Sequence, residues 1–384
     1  MKIVFNRKMI EGAVQPLMCA VSGKATLTAV EGILFEADAE NATCTMTTFD
    51  LEKGMRVQVK ADVQEGGSCI INAQKFSQTV RVMEGDSVTL TVDANQQACI
   101  SSGKASHRMN TLPASDFPKL PPLLTPDGFE VSQSALRRLL AKTMYAMATN
   151  DQRQVLNGCF LRVEDDSLLA VACDSFRLAR CSLSLPVENR NEDGTRLNFS
   201  VILPTKSVGE LFRMLKDDER ESVRVYLTRK TMIFYFADYI FFTRLVEGVY
   251  IDFDRLILTN HRNFCEVERQ ALIAALERAA LVTEERVAGS VRAFVKLELH
   301  EDTLRISATS ALGSTNDELW VEHVGEDLVI AFNNRFLLDS LRACTAEKVR
   351  LSMTSALTSI NIEPSTPKPD ETELFMLLPV RMKE

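Results

Sequence analysis

The 384-residue sequence is poor in the residues that catalysis and metal binding usually need. It holds four histidines, His107, His261, His300 and His323, and no two of them stand four apart as a helical metal pair would. Its nine cysteines form no C-x-x-C pair, and their odd number leaves at least one unpaired. We therefore expect reduced, mostly buried thiols, with neither a disulfide frame nor a metal site. No G-x-S-x-G, no G-x-x-x-x-G-K followed by Ser or Thr, no H-E-x-x-H and no G-x-G-x-x-G is present. Acidic pairs such as Asp217–Asp218 fall in predicted turns and read as solvated. We expect no catalytic residues and no cofactor; the surviving enzymatic alternative is a hydrolase whose Ser or Cys, His and acid come together from distant segments. No apolar run approaches the roughly eighteen residues of a membrane helix, and the opening MKIVFNRKMIEG lacks a signal-peptide apolar core, so a cytoplasmic location is expected.

What the sequence does contain is repetition. The stretches GILFEADAENATCTMTTFDL from Gly32, GCFLRVEDDSLLAVACDSFRL from Gly158 and AFVKLELHEDTLRISATSAL from Ala293 each read as a strand pair. Each is followed by strand, short amphipathic helix, charged turn and strand, as in CIINAQKFSQTVRVMEGDSVTLTV. The period is about a third of the chain, too long for a solenoid of small repeats and right for repeated domains. Proline-rich DFPKLPPLLTPDG marks one boundary and the segment near VYIDFDRLILTNHRN the other. The expected fold is α+β, in three domains at 1–127, 128–254 and 255–384, each with two helices on one side of antiparallel sheets. Helices are predicted over 7–21, 73–84, 132–148, 205–216, 268–281 and 333–344.

Charge is distributed unevenly over this pattern. The whole chain carries a net charge of −8, yet the six predicted helices hold fourteen basic residues against six acidic ones. A positive helical layer over negative sheets suits the phosphate backbone of a duplex, through contacts that ignore sequence. Arg137, Arg138, Lys142 and Lys206 are the helical residues expected to make them. No helix clusters Arg, Asn and Gln at base-edge spacing.

The segments LPASDFPKLP, RQVLNGCF and ACDSFRLA, with the ending LLPVRM, resemble the bacterial β sliding clamps, the processivity subunits of replicative DNA polymerases. The resemblance spans the chain and implies a head-to-tail, ring-forming homodimer of DNA-clamp fold that encircles double-stranded DNA and tethers polymerases, clamp loader and repair proteins through short linear motifs. It adds Lys24, Asn150 and Arg153 to the DNA contacts. It implies a seam between Lys75, His107 and Met109 of one protomer and Leu281 and Val282 of the next. It also implies a peptide cleft between the second and third domains, formed by Leu156, Cys173, Phe176, Arg177, Leu178, Ile251, Arg255, Leu256, Asn333, Phe336, Leu357, Ser359, Met376, Leu378, Pro379, Val380 and Arg381. In the ending ELFMLLPVRMKE, Phe375 and Leu377 are expected to face the core and Met376 and Leu378 the cleft. Pro379 is expected to stop strand pairing and leave backbone available to a peptide. Residues 383 and 384 extend past the family's usual stop. The family's Asp-Gly-His-Arg is Asp174-Ser175-Phe176-Arg177 here. A specialised clamp paralogue serving repair or phage replication partners is the alternative reading.

Overall fold

The structure, a computed structural model, describes residues 1–23, 26–123, 128–164, 166–184, 198–283, 294–310 and 313–382. Among these run six α-helices: α1 (Arg7–Leu17), α2 (Ala73–Val82), α3 (Gln133–Thr143), α4 (Thr205–Met214), α5 (Arg269–Thr283) and α6 (Asn334–Ala343). All six lie where the 3.6-residue period puts them. α1 and α3 are shorter than predicted because their last turns tighten into the 3-10 helices Met18–Ala20 and Met144–Ala146. In α1, Pro16 removes a backbone donor just before that change.

Each strand pair seen in the sequence is an antiparallel hairpin: Gly32–Asp38 with Thr43–Phe49, Gly158–Glu164 with Ser167–Cys173, and Phe294–His300 with Thr303–Ser310. The strands that lead into α1, α2 and α6 end in Asn6, Asn72 and Asn333. Each of these side chains accepts a hydrogen bond from the backbone N–H three residues on, which caps the helix.

The chain forms two compact units. The first is built chiefly from Met1–Gln133 and Arg213–Leu245. It holds a five-stranded sheet and an eight-stranded sheet, with α1 and α2 packed on one another and Phe35 and Phe76 edge to face at 4.8 Å. The second is built from Ser134–Val187, Asn198–Phe212 and Val246–Glu384. It holds a nine-stranded and a four-stranded sheet, with α5 packed on α6.

Each large sheet contains a join between strands far apart in sequence. In the first unit Lys53–Lys60 pairs with Tyr239–Arg244, with Lys53 opposite Thr243. In the second Arg177–Ser184 pairs with Glu371–Leu377, with Arg177 opposite Leu377. One further bond closes each join: Arg244 N donates to Glu52 O at 2.7 Å, and Leu378 N donates to Phe176 O at 2.8 Å.

The join explains the apolar terminal strand. Glu371–Leu377 has neighbours on both sides, Arg177–Ser184 and Ile360–Pro364, so it is a central strand with both faces covered. Phe375 and Leu377 are fully buried and Met376 nearly so.

Candidate docking cleft and nucleic-acid-facing residues

The second unit carries an apolar floor with an exposed apolar rim. Leu156, Cys173, Leu178 and Met376 are buried in one cluster with Tyr250 and Phe253, and Ile251 packs against it half-buried. The stacked ring of Phe160, 5.3 Å from Tyr250, continues the cluster. Next to floor residues in chain or sheet, Phe176, Leu357 and Leu378 are 58%, 72% and 41% exposed. Leu378 N donates to Phe176 O, and the turn of Leu357 leads into Ile360, which pairs with Leu377; Leu256, exposed too, donates its N–H to Phe253 O. Aliphatic and aromatic surface gathered in this way is a docking surface in soluble proteins more often than an accident of packing. Sequence reading missed Tyr250, Phe253 and Phe160; the apolar run before Asp252 and the strand GCFLRV were the available signals.

The rim is held rigidly. In the turn after Ser167–Cys173, Asp174 accepts from the N–H groups of Phe176 and Arg177, both at 3.1 Å, and from Arg177 Nε at 2.9 Å. Arg177 is buried. Its other end donates to Asp339 at 2.7 Å, and its guanidinium lies over the rings of Phe336 and Tyr145 at 4.3 and 5.1 Å. Arg177 therefore acts as a strut that ties the Phe176 turn to α6; it is not a free contact for a ligand. Phe336 meets Phe176 at 6.1 Å. Burial pushes the Tyr145 phenol well up, and its O–H lies 3.1 Å from Ser340 Oγ.

The remaining expected cleft residues sort by what their groups already do. Asn333 caps α6, and Ser359 is buried, two residues after exposed Leu357. Arg255 is exposed and paired with Asp252 at 2.9 Å; Arg381 is exposed, and Pro379 and Val380 are half-buried. The expectation for Pro379 needs correction. Strand pairing does stop at Leu377, but the amides on either side of the proline are both spent, Leu378 N on Phe176 O and Val380 N on Ala331 O at 2.7 Å. The apolar side chains, and not freed backbone, are what the ending offers. Residues 383 and 384 lie outside the described residues.

Of the residues expected at DNA, Lys24 lies outside the described residues. Lys142 is corrected: it is 2% exposed, and its ammonium is held by both Glu371 and Glu373 of the terminal strand. Burial alone would lower its pKa, but the two carboxylates hold it above the usual lysine range. Glu371 is likewise pushed up by burial, yet Lys142 holds it below the ordinary carboxylate value. A lysine neutralised in this way has no charge to offer a phosphate. Arg137 is half-buried, donating to Phe212 O at 2.5 Å and lying over the Phe212 ring at 4.1 Å. Arg138 and Lys206 are exposed. Asn150 sits in a left-handed turn, φ 62°, and Arg153 is exposed, paired with Asp151 at 3.2 Å and bonded to Ser175 Oγ. Arg153 thus reaches the turn that carries Phe176.

Of the residues expected at a protomer seam, Lys75, His107 and Met109 line one groove of about 580 Å³ in the first unit. His107 and Met109 lie on Ala105–Asn110, an edge strand. Leu281, at the end of α5, is 80% exposed and Val282 is half-buried. All nine cysteines are free thiols, seven of them buried; burial pushes Cys44, Cys159 and Cys265 up to about 12. Among the described residues no group of His, Cys, Asp and Glu could hold a metal, and no helix is long and apolar enough to cross a membrane.

Comparison with known proteins agrees along the whole chain. Residues 1–121, 130–252 and 254–380 match the N-terminal, central and C-terminal domains of the DNA polymerase III beta subunit. The beta sliding clamp of Haemophilus influenzae is 28% identical over 383 residues, covering all of both chains. The crystal structure of the DNA polymerase sliding clamp from Bacillus subtilis superposes with a TM-score of 0.92 at 26% identity, and that of the Pseudomonas aeruginosa DnaN sliding clamp bound to griselimycin with 0.87 at 26%, each covering all of both chains. The chain belongs to the DNA polymerase III beta subunit family, the β sliding clamps, processivity factors of DNA replication that bind DNA as dimeric rings and bind polymerases and are not enzymes.

Proposed function

We propose that partner proteins dock short linear motifs on the Phe176, Leu357 and Leu378 rim while two copies of this chain close around duplex DNA. The observation that carries the docking reading is the exposed apolar rim, held rigid by Arg177, over a buried apolar floor. Large side chains of a peptide gain by leaving water there, at about 25 cal/mol per Å² of apolar surface. The seam joins the Lys75, His107 and Met109 face of one copy to Leu281 and Val282 of the other. Arg138, Asn150, Arg153 and Lys206 contact phosphate, with Lys24 beside them. The domains are 1–127, 128–254 and 255–384, and the protein works in the cytoplasm, where its DNA is.

The test is fluorescence polarisation with a labelled peptide containing glutamine followed by Leu and Phe, taken from this organism's polymerase. Leu378→Ser and Phe176→Ala each remove one rim contact, worth about 1 to 2 kcal/mol, so affinity should fall roughly tenfold with thermal stability unchanged. Unchanged affinity in both variants would exclude this surface as the docking site.

A further inference from the structure

The join in the first unit carries a groove of its own, about 570 Å³ in volume. Its floor is made by Phe49 and Phe242, both buried, with ring centroids 5.5 Å apart and half-buried Leu120 packed against them. Gly54 allows this: a Cβ there would lie 2.1 Å from the Phe242 ring.

Its frame repeats that of the cleft in the second unit. Asp50 accepts from the N–H groups of Glu52 and Lys53, at 3.0 and 2.7 Å, and from Lys53 Nζ at 2.7 Å, as Asp174 does from Phe176 and Arg177. Leu51 and Ser175 hold the same left-handed position, φ 76° and 80°. Arg244 N bonds Glu52 O as Leu378 N bonds Phe176 O. Glu52 thus stands where the cleft has Phe176, and Arg244 where it has Leu378. The turn between Ser222–Leu227 and Thr231–Tyr235, which carries Arg229 and Lys230, stands where the cleft has the turn of Leu357.

Four cations, Lys119, Arg229, Lys230 and Arg244, and one carboxylate, Glu52, therefore line an apolar floor. Lys53 is excluded from this rim because it is buried against Asp50. A ligand that matches must be apolar at its centre and anionic around it. We propose that this groove is a second docking site, for an extended partner peptide that seats one aromatic or large aliphatic side chain on the Phe49–Phe242 floor and sets carboxylates against Arg229 and Arg244. The extended form is taken from the reading of the cleft above; the acidic preference rests on this groove alone.

The experiment measures polarisation of a fluorescein-labelled DDDWDDD peptide, which lacks the Leu and Phe of the cleft motif, on the full-length protein, with KKKWKKK as the reversed-charge control. Binding should be seen for the acidic probe only and should weaken as salt rises. Arg229→Glu combined with Arg244→Glu should weaken it at least tenfold, since two attractions to the peptide's carboxylates become two repulsions. Leu51→Glu, which leaves the four cations in place, should also weaken it, and Phe176→Ala should leave it unchanged. Binding lost in Phe176→Ala and kept in the arginine variants would overturn the proposal, as would equal binding of both peptides, displacement by short oligothymidine, or no binding at millimolar protein. The polymerase peptide, run on the same variants, reports on the cleft separately.

Discussion

The turns at Asp50–Lys53 and Asp174–Arg177 share a frame and differ in what the frame carries. Both use an aspartate to hold two backbone N–H groups and the basic side chain three residues on. In the first unit the basic residue stops there, as a local pair between Lys53 and Asp50. In the second it is an arginine, whose longer planar fork also reaches Asp339 and covers two aromatic rings. The second join is further crossed by the buried contacts of Lys142 with Glu371 and Glu373. The same local geometry therefore supports two surfaces, an apolar rim braced by buried charge and a cationic rim over aromatic rings. Rim chemistry, and not the turn, decides what can dock.

The sharpest break in this comparison is Lys142→Ala, which leaves Glu373 buried without its cation and Glu371 with only the more distant Lys368 and Arg138, at 3.4 and 3.7 Å. It should cost about 3 to 5 kcal/mol in chemical denaturation. A loss under 1 kcal/mol would mean that water already satisfies those carboxylates. Next is the pair Arg177→Ala and Lys53→Ala. Asp174 and Asp50 both keep their two backbone donors, but the first change also takes the cation from Asp339 and the guanidinium from the rings of Phe336 and Tyr145, and should cost about 2 to 4 kcal/mol; the second removes only the local pair with Asp50 and should cost about 1 kcal/mol. Equal losses would erase the distinction between strut and local pair.

Acid should act on the second join in particular. Glu371 titrates below the ordinary carboxylate value in the folded chain, so its contribution is present above that value and is lost as pH falls through the depressed folded pKa. Stability followed by circular dichroism should drop below about pH 4, and Glu371→Gln should flatten that part of the profile. An unchanged slope would show that Glu371 is not the group responsible. The smallest effects are expected at the left-handed positions, where Ser175→Gly and Leu51→Gly should each stabilise by about 0.5 to 1 kcal/mol by relieving backbone strain. A destabilisation at Ser175 would mean that its hydroxyl bond to Arg153 outweighs the strain.

Much of this was legible in the sequence, because helix and strand periods are local. The six helices, the three hairpins and the two-faced terminal strand follow from apolar spacing alone. The rim residues Phe176, Leu357 and Leu378 came from the resemblance, since nothing local marks an exposed leucine as functional. Lys142 was misread for a physical reason: lysine is ordinarily a solvent residue, whereas here it stands three after Leu139 and seven after Ala135, on the buried face of α3. Glu371 and Glu373, two apart on one strand face, were the matching signal. The kinship of the two turns was hidden because DLEK and DSFR share only an aspartate and a basic residue. The bonds that unite them run through the backbone, which composition does not record.

The claim that the chain holds DNA by encircling it has one direct measurement. The protein is loaded by its clamp loader onto nicked circular DNA, isolated with it, and the DNA is then cut once. A closed ring that slides should be retained on the circle and lost from the ends within the time of cutting, at salt high enough to screen phosphate contacts. Retention on the linear product would contradict the account, because it would mean that affinity, and not topology, holds the protein on DNA.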